Sequence, residues 1–261
     1  MQLIAARILL TGATGGLGQA LARVLSRQGA KLLVAGREPD RLAALAAGLG
    51  AGHASVRADL NAAAGIAATV DAARAFGVNV LINNAGIGGF ALYDDQDWAA
   101  VEALLATNLV APMRLTHALL PQLKRQSTAA VVNIGSTFGS LPFAGFAAYS
   151  AAKAGLRGFS QALRRELADT RVAVIHLAPR AIATPLNTAA VDALNRELGN
   201  RSDSADAVAE EVATALRRGA GERHLGFPER LFARLNGFAP SLIDRGVAGK
   251  LAAIKRHATT G

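Results

Sequence analysis

Short, almost uniformly apolar runs alternate along this chain with longer stretches whose apolar residues recur every three or four positions. The runs at residues 8–10, 31–35, 53–58, 78–82, 131–136 and 171–177 read as strands, and His224 to Phe227 as a last, shorter one. Uniform rather than alternating hydrophobicity is the mark of strands covered on both faces, as in a parallel sheet. Between them lie helical stretches: Gln19 to Gln28, a helix from Arg37–Arg41 with Pro39 in its first turn, and one from about Ala62. Asp97 to Lys124, Tyr149 to about Ala168 and Val208 to Leu216 follow. Strand and helix in strict turn predict an α/β fold. At 261 residues the chain suits one domain, with a seven-stranded sheet between two helical layers.

Composition changes this picture little. Hydrophobic residues make up 51% of the chain, much of it alanine, and cysteine is absent. Disulfides, thiol nucleophiles and cysteine metal sites are therefore excluded, and no other metal site is expected. Met1 to Ala5 is too short for a signal peptide, and no uninterrupted apolar run reaches spanning length. A soluble cytoplasmic protein is the expectation. The net charge of +9 fits a nucleic acid, an anionic membrane or a phosphorylated cofactor. The basic residues are dispersed and aromatics amount to only 5%, which favours a solvated basic surface over nucleic-acid binding.

The first strand runs into Thr11-Gly12-Ala13-Thr14-Gly15-Gly16-Leu17-Gly18 and then a helix. Glycines permit a tight turn and a close backbone approach, and a helix N-terminus offers free N–H groups to a pyrophosphate. After the second strand come Gly36 and Arg37. An acid there would accept from a ribose 2′-hydroxyl, whereas arginine suits a 2′-phosphate, so NADP is favoured over NAD. A surface arginine capping the turn is the alternative. Asp59, at the end of the third strand, can accept from an adenine amino group or cap the next helix. Asn83-Asn84-Ala85-Gly86 can tie strands together beside a cofactor or form an ordinary turn. Asn108 interrupts a leucine face and needs a partner. Tyr149 and Lys153, four apart, share one helical face. A phenol with a pKa near 10 needs help to move a proton at neutral pH, and a nearby lysine favours the phenolate. Ser136, at the end of the fifth strand, can hold a substrate oxygen.

Taken together, these motifs resemble the short-chain dehydrogenase/reductase family over nearly the whole chain. Thr11-Gly12-x-x-x-Gly16-x-Gly18 is similar to its cofactor turn, Asp59 to its adenine-contacting acid and Asn83–Gly86 to its Asn-Asn-Ala-Gly motif. Asn108, Ser136, Tyr149 and Lys153 match its catalytic tetrad, with the serine thirteen positions before the tyrosine. The resemblance implies a Rossmann-like, doubly wound parallel sheet in the order 3-2-1-4-5-6-7. It implies Tyr149 as acid/base, Ser136 orienting the carbonyl or hydroxyl, Lys153 binding the nicotinamide ribose and tuning Tyr149, and Asn108 holding a relay water. Cofactor contacts are implied at Gly12, Thr14, Gly15, Gly16, Leu17, Gly18, Arg37, Asp59, Leu60, Asn83, Ala85, Gly86, Tyr149 and Lys153. Past the sixth strand they continue at Pro179, Ile182 and Thr184. Dimers or tetramers through the helices carrying Asn108 and Tyr149 are also implied.

Arg180 stands where the family usually has glycine, and either faces an acidic substrate group or points to solvent. Pro185 to about Asn200 is the expected lid over the substrate, within a lid region of about residues 180–200. Residues 1–227 then form the cofactor and catalytic domain, and 228–261 an amphipathic extension. Its stripe of Leu231, Phe232, Leu235, Phe238, Leu242 and Ile243 has Arg230, Arg234 and Arg245 beside it, with a break expected at Pro240. Such a segment packs on the domain or a partner, or makes peripheral contact with an anionic membrane through residues 228–257. The expected activity is NADPH-dependent reduction of a ketone or aldehyde, reversible as alcohol oxidation, on a substrate of acyl or lipid type. A non-catalytic NADP(H) sensor is the alternative on the same fold; an intact tetrad argues against it.

Overall fold

The computed structural model describes residues 1–219 and 221–258. The final residues of the predicted extension, 259–261, lie outside the described residues. Seven strands form one sheet: β1 Arg7–Thr11, β2 Lys31–Gly36, β3 Ala54–Arg57, β4 Val80–Asn83, β5 Ala129–Ile134, β6 Val172–Ala178 and β7 Glu222–His224. All pairings are parallel, and the order is β3-β2-β1-β4-β5-β6-β7, as the resemblance implies.

Alternate residues of the five inner strands feed two separate cores, which is why those strands read as unbroken apolar runs. Ile8 and Leu10 of β1, Leu32 and Val34 of β2, and Val132 and Ile134 of β5 face helices α1 (Gly16–Arg27) and α8 (Ala205–Arg218). Leu9, Leu33 and Val131 face the opposite layer of α3 (Ala63–Phe76), α5 (Ala111–Lys124) and α6 (Ala147–Glu166). Each leucine or isoleucine fully buried here contributes about 1.5–3 kcal/mol relative to its exposed state. Helix α2 (Pro39–Leu49) joins β2 to β3.

Helix α4 (Trp98–Leu105) starts at the capping carboxylate of Asp97, which accepts from the Ala99 amide at 3.4 Å. It continues through one π-helical turn, Ala106–Val110, into α5. By length and mean hydropathy this 27-residue stretch could cross a membrane, although Glu102, Asn108 and Arg114 interrupt its apolar run. Its Leu104, Leu115, Leu119 and Leu123 are buried in the cores of this domain.

Two ends differ from the sequence reading in ways that matter for function. Strand β5 stops at Ile134, so Ser136 lies beyond it and caps a short 3-10 turn, Thr137–Gly139. Strand β7 stops at His224, which leaves Phe227 exposed. The expected lid contains α7 (Ala189–Glu197), started by Thr188, whose hydroxyl accepts from the Val191 amide at 3.3 Å. The extension forms α9 (Glu229–Phe238), α10 (Pro240–Ala248) and α11 (Leu251–Ala258), breaking at Ala239 before Pro240. Only α11 buries apolar residues. Its Ala253 and Ile254 pack with Leu194 of α7 and with Phe90 and Phe143, not on the sheet.

Candidate active site

The crevice lies along the carboxyl ends of β1, β4, β5 and β6, where a doubly wound sheet reverses its strand order. Sterics shape its floor. Gly12 has a φ of +63°, and a Cβ there would come within 2.7 Å of the Ala85 Cα. At Gly18 a Cβ would lie 2.1 Å from the Gly12 carbonyl oxygen. The turn and the Asn-Asn-Ala-Gly segment are therefore in backbone contact. Thr11 and Asn84 hold them there: Thr11 Oγ1 accepts from the amides of Asn84 and Ala85, each at 3.0 Å. In return, Asn84 Nδ2 donates to the carbonyls of Thr11 at 2.9 Å and Gly12 at 3.1 Å. Helix α1 begins at Gly16, with no side chain capping it and no acid in its first turn. Its first amides, including those of Leu17 and Gly18, are available to an anion. Thr184 packs on Gly16, which brings the loop after β6 against the turn.

Beyond β2 and β3 a cavity of about 510 Å³ is lined by Arg37, Arg57, Ala58, Asp59, Ala64, Gly65 and Ala68. Two guanidinium groups and a single carboxylate give it a positive balance. Arg57, at the end of β3, escaped the sequence reading. The signal was the phase of Arg57-Ala58-Asp59, which puts Arg57 and Asp59 on one side of an extended segment. Asp59 does not cap α3, whose N-cap is Ala62; its Oδ1 accepts from the Asn61 amide at 3.0 Å and closes a short turn. Leu60 packs against the core on the α3 side. Arg41 of α2 approaches the glycine turn, donating to the Thr14 carbonyl at 2.8 Å.

Asn83 is placed differently from the other residues of its motif. Its side chain is buried and donates to Asn133 Oδ1 at 2.8 Å; Asn133 in turn donates to Ser160 Oγ at 2.8 Å. Through its Nδ2 this side chain ties β4 and β5 to α6, while its Oδ1 is buried with no hydrogen-bond partner among the described residues.

The four residues of the implied tetrad converge. Asn108 sits in the π-helical turn, fully buried, and makes a reciprocal pair with Ile87: its Oδ1 accepts from the Ile87 amide and its Nδ2 donates to the Ile87 carbonyl, both at 2.9 Å. A Cβ at Gly86 would lie 3.1 Å from Asn108 Oδ1 and 3.8 Å from Lys153 Nζ, so Gly86 is the meeting point of both side chains. Lys153 Nζ donates to the Ile134 carbonyl at 3.0 Å and lies 5.7 Å from the centroid of the Tyr149 ring. Burial lowers the Lys153 pKa to about 8.

Tyr149 is half-buried and hydrogen-bonded to Ser136. Burial raises its pKa above the usual phenol value, and the bond to Ser136 only partly opposes this. The expected lowering by Lys153 does not prevail. The ammonium points to the Ile134 carbonyl and is itself desolvated, so a dry surrounding decides the tyrosine's titration.

Aromatic rings wall the approach to Tyr149. Phe138 and Phe146 stand with ring centroids 6.4 and 6.2 Å from it, edge to face, and Phe90 stacks on Phe146 at 4.9 Å. The sequence reading missed this wall. Three of the chain's nine phenylalanines fall between Ser136 and Tyr149, which was the available signal.

On the far side, the Pro179 carbonyl accepts from the Thr137 amide at 2.9 Å and from Thr137 Oγ1 at 3.1 Å, joining the loop after β6 to the serine turn. Ile182 forms a β-bridge with Asp203. Arg180 neither faces a substrate group nor points to solvent. Its guanidinium donates to Asp203 Oδ1 at 3.0 and 2.6 Å and lies 3.6 Å from Glu229 of α9, with only 16% of its side chain exposed. It clasps the loop after β6 to the end of the lid and the start of the extension.

These residues fit a dinucleotide: a turn in which Cβ atoms would collide, an uncapped helix start, a cationic pocket and a tyrosine–lysine pair lie along one crevice. The relatives agree. Residues 6–195 match the short chain dehydrogenase family. The chain is 34% identical over 189 residues to the 3-oxoacyl-[acyl-carrier-protein] reductase FabG of Escherichia coli (strain K12), covering 70% of this chain and 76% of that one. Among solved structures it is similar to a short-chain dehydrogenase from Sphingobium yanoikuyae in complex with NADPH, with a TM-score of 0.78 and 28% identity over 92% of this chain and 95% of that one. It is likewise similar to a 3-ketoacyl-(acyl-carrier-protein) reductase from Brucella melitensis complexed with NADH, with a TM-score of 0.79 and 27% identity over 85% and 96% of the two chains. The protein belongs to the short-chain dehydrogenase family and is an oxidoreductase of the kind that works with a nicotinamide cofactor.

Proposed function

We propose that this protein is an NADP(H)-dependent carbonyl reductase that reduces a ketone or aldehyde and, in reverse, oxidises the alcohol. The observation that carries the reading is the Ser136–Tyr149–Lys153 arrangement at the end of an aromatic-walled approach. When bound, the nicotinamide supplies or accepts the hydride at the carbonyl carbon. The protein handles the oxygen. Ser136 holds it by a hydrogen bond, and Tyr149 Oη gives it a proton as the C–O double bond becomes single. A tyrosine whose pKa is raised by burial stays protonated at neutral pH, which suits the reducing direction. Lys153, positively charged below about pH 8, favours the phenolate left behind. Asn108, paired with Ile87 and close to Gly86 and Lys153, fixes the wall behind them.

Preference for NADP(H) rests on Arg37 and Arg57 around the 510 Å³ cavity, with no acid at the end of β2 to accept from a 2′-hydroxyl. The phenylalanine wall and the acyl-reductase relatives support an apolar carbonyl substrate of acyl type. The test is a turnover screen of ketones, aldehydes and 3-ketoacyl thioesters, each with NADPH and with NADH. Consumption of NADPH with an apolar carbonyl compound is expected. Failure to turn over any of them, despite measurable NADPH binding, would leave the sensor reading.

A further inference from the structure

The C-terminal extension leaves most of its apolar stripe exposed, unlike a helix of a soluble domain. In such helices the apolar stripe faces the core. In α9 a polar side chain is turned inward: Asn236 Nδ2 donates to the Ser140 carbonyl at 3.1 Å, seating α9 beside the serine turn. Leu231, Phe232 and Phe238 are exposed, Phe238 by 91% at the tip where α9 breaks into α10, while Leu235 and Ile243 of the same stripe are half-buried. Leu242 of α10 and Phe227, just before α9, are exposed as well. Neither α9 nor α10 buries a single residue. Five large apolar side chains exposed on one short segment mark an interaction surface.

Charge selects the occupant. Arg230, Arg245 and Lys250 are exposed around the stripe, while Arg234 lines a cavity with Glu222, His224 and Asn236. Of the two acids in α9 and α10, Glu229 is turned inward to Arg180, which leaves only Asp244 against the three outer cations. A second copy of this chain docking about a two-fold axis would set this basic rim against itself. An anionic lipid surface complements it, taking the arginines at headgroup level and the phenylalanines and leucines at the acyl boundary. The geometry points to α9–α10 as a peripheral membrane-docking surface for anionic phospholipid bilayers. Asn236 at one end and α11 at the other attach it to the catalytic domain; Ile254 is fully buried, and Arg256 and His257 pair with Glu197 of α7.

The test is co-sedimentation of the full-length protein with vesicles of mixed phosphatidylglycerol and phosphatidylcholine, and of phosphatidylcholine alone. Light scattering follows the oligomeric state of every variant. Wild-type protein should pellet with the anionic vesicles at low salt, less at high salt, and hardly with the neutral ones. Phe238→Asp and the Arg230→Glu/Arg245→Glu pair, both on exposed positions, should each cut partitioning roughly tenfold while NADPH binding is retained. Wild-type protein left in the supernatant at low salt would overturn the proposal, as would equal pelleting with neutral vesicles. A change of oligomeric mass in Phe238→Asp with vesicle binding intact would give the surface to a second copy instead.

Discussion

The cofactor crevice and the C-terminal extension are held in place by opposite means. In the crevice, backbone meets backbone: Gly12 sits against Ala85 and Gly18 against Gly12, and neither place has room for a side chain. The constraint is local, and it dictates residue identity at fixed spacing. In the extension, α9 is held by the Asn236 bond and the Arg180 clasp, and α11 by buried Ile254 and by Arg256 and His257 on Glu197. Nothing in its spacing says what its apolar stripe should cover. Steric exclusion makes a motif that can be read from a dozen residues, whereas amphipathicity describes half of an interface.

The largest expected effect lies in the catalytic floor. Tyr149→Phe removes only the hydroxyl, and its ring should keep its edge-to-face packing with Phe138 and Phe146. Turnover should fall by roughly 10²–10⁴-fold, with NADPH affinity little changed, in steady-state kinetics and cofactor titration. Near wild-type turnover in a folded variant would remove Tyr149 from the chemistry.

A second substitution probes whether the extension is part of the site or only attached to it. Ile254 is fully buried between Leu194 of the lid and the Phe90–Phe143 wall. Ile254→Ala should cost about 2–5 kcal/mol of local packing, seen as faster hydrogen exchange in α11 and α7. Because that packing borders the aromatic wall, KM for the carbonyl substrate should rise while the Kd of NADPH stays put. An equal rise in both would mean that the damage spreads into the crevice and that the two regions are not separable.

Next comes the phosphate pocket. Arg37→Ala and Arg57→Ala should each weaken NADPH by roughly 1.5–3 kcal/mol and NADH far less, if a charge-assisted bond to the 2′-phosphate is lost. Calorimetric titration of both cofactors decides it. Equal losses for NADPH and NADH would show a general electrostatic effect.

What could be read in advance follows the same division. The strands were legible because a sheet covered on both faces demands unbroken apolar runs, whereas their order and the grouping of Asn108, Ser136, Tyr149 and Lys153 came only from the resemblance to a family. Arg180 was not legible, since its partners Asp203 and Glu229 lie far along the chain and only the closed fold brings them together. Asn83 was ambiguous for a related reason: an amide's role depends on which neighbour reaches it first, and here Asn133 does. The tuning of Tyr149 also escaped. A lysine one helical turn away is visible in sequence, but the burial that outweighs it is a property of the assembled site. Arg57 and the phenylalanine wall were present as composition and phase, without a motif to announce them.

The smallest expected effect is a pH response, and its sign separates the two directions of the reaction. Reduction uses the protonated phenol. Tyr149 has its pKa raised above the usual value, so the proton-bearing form persists throughout the neutral range. kcat/KM for reduction should therefore change less than about twofold between roughly pH 6 and 7.5. Oxidation needs the phenolate, a minor species in that range that grows about tenfold per pH unit, so the reverse rate should climb with pH. Lys153 adds an inflection near its pKa of about 8: loss of its charge removes support for the phenolate and flattens the climb. Rate profiles in both directions, taken with saturating cofactor, test this. A reduction rate that falls steeply from pH 6 to 7.5 would require an acid with a lower pKa than Tyr149 and would move the proton donor elsewhere in the crevice.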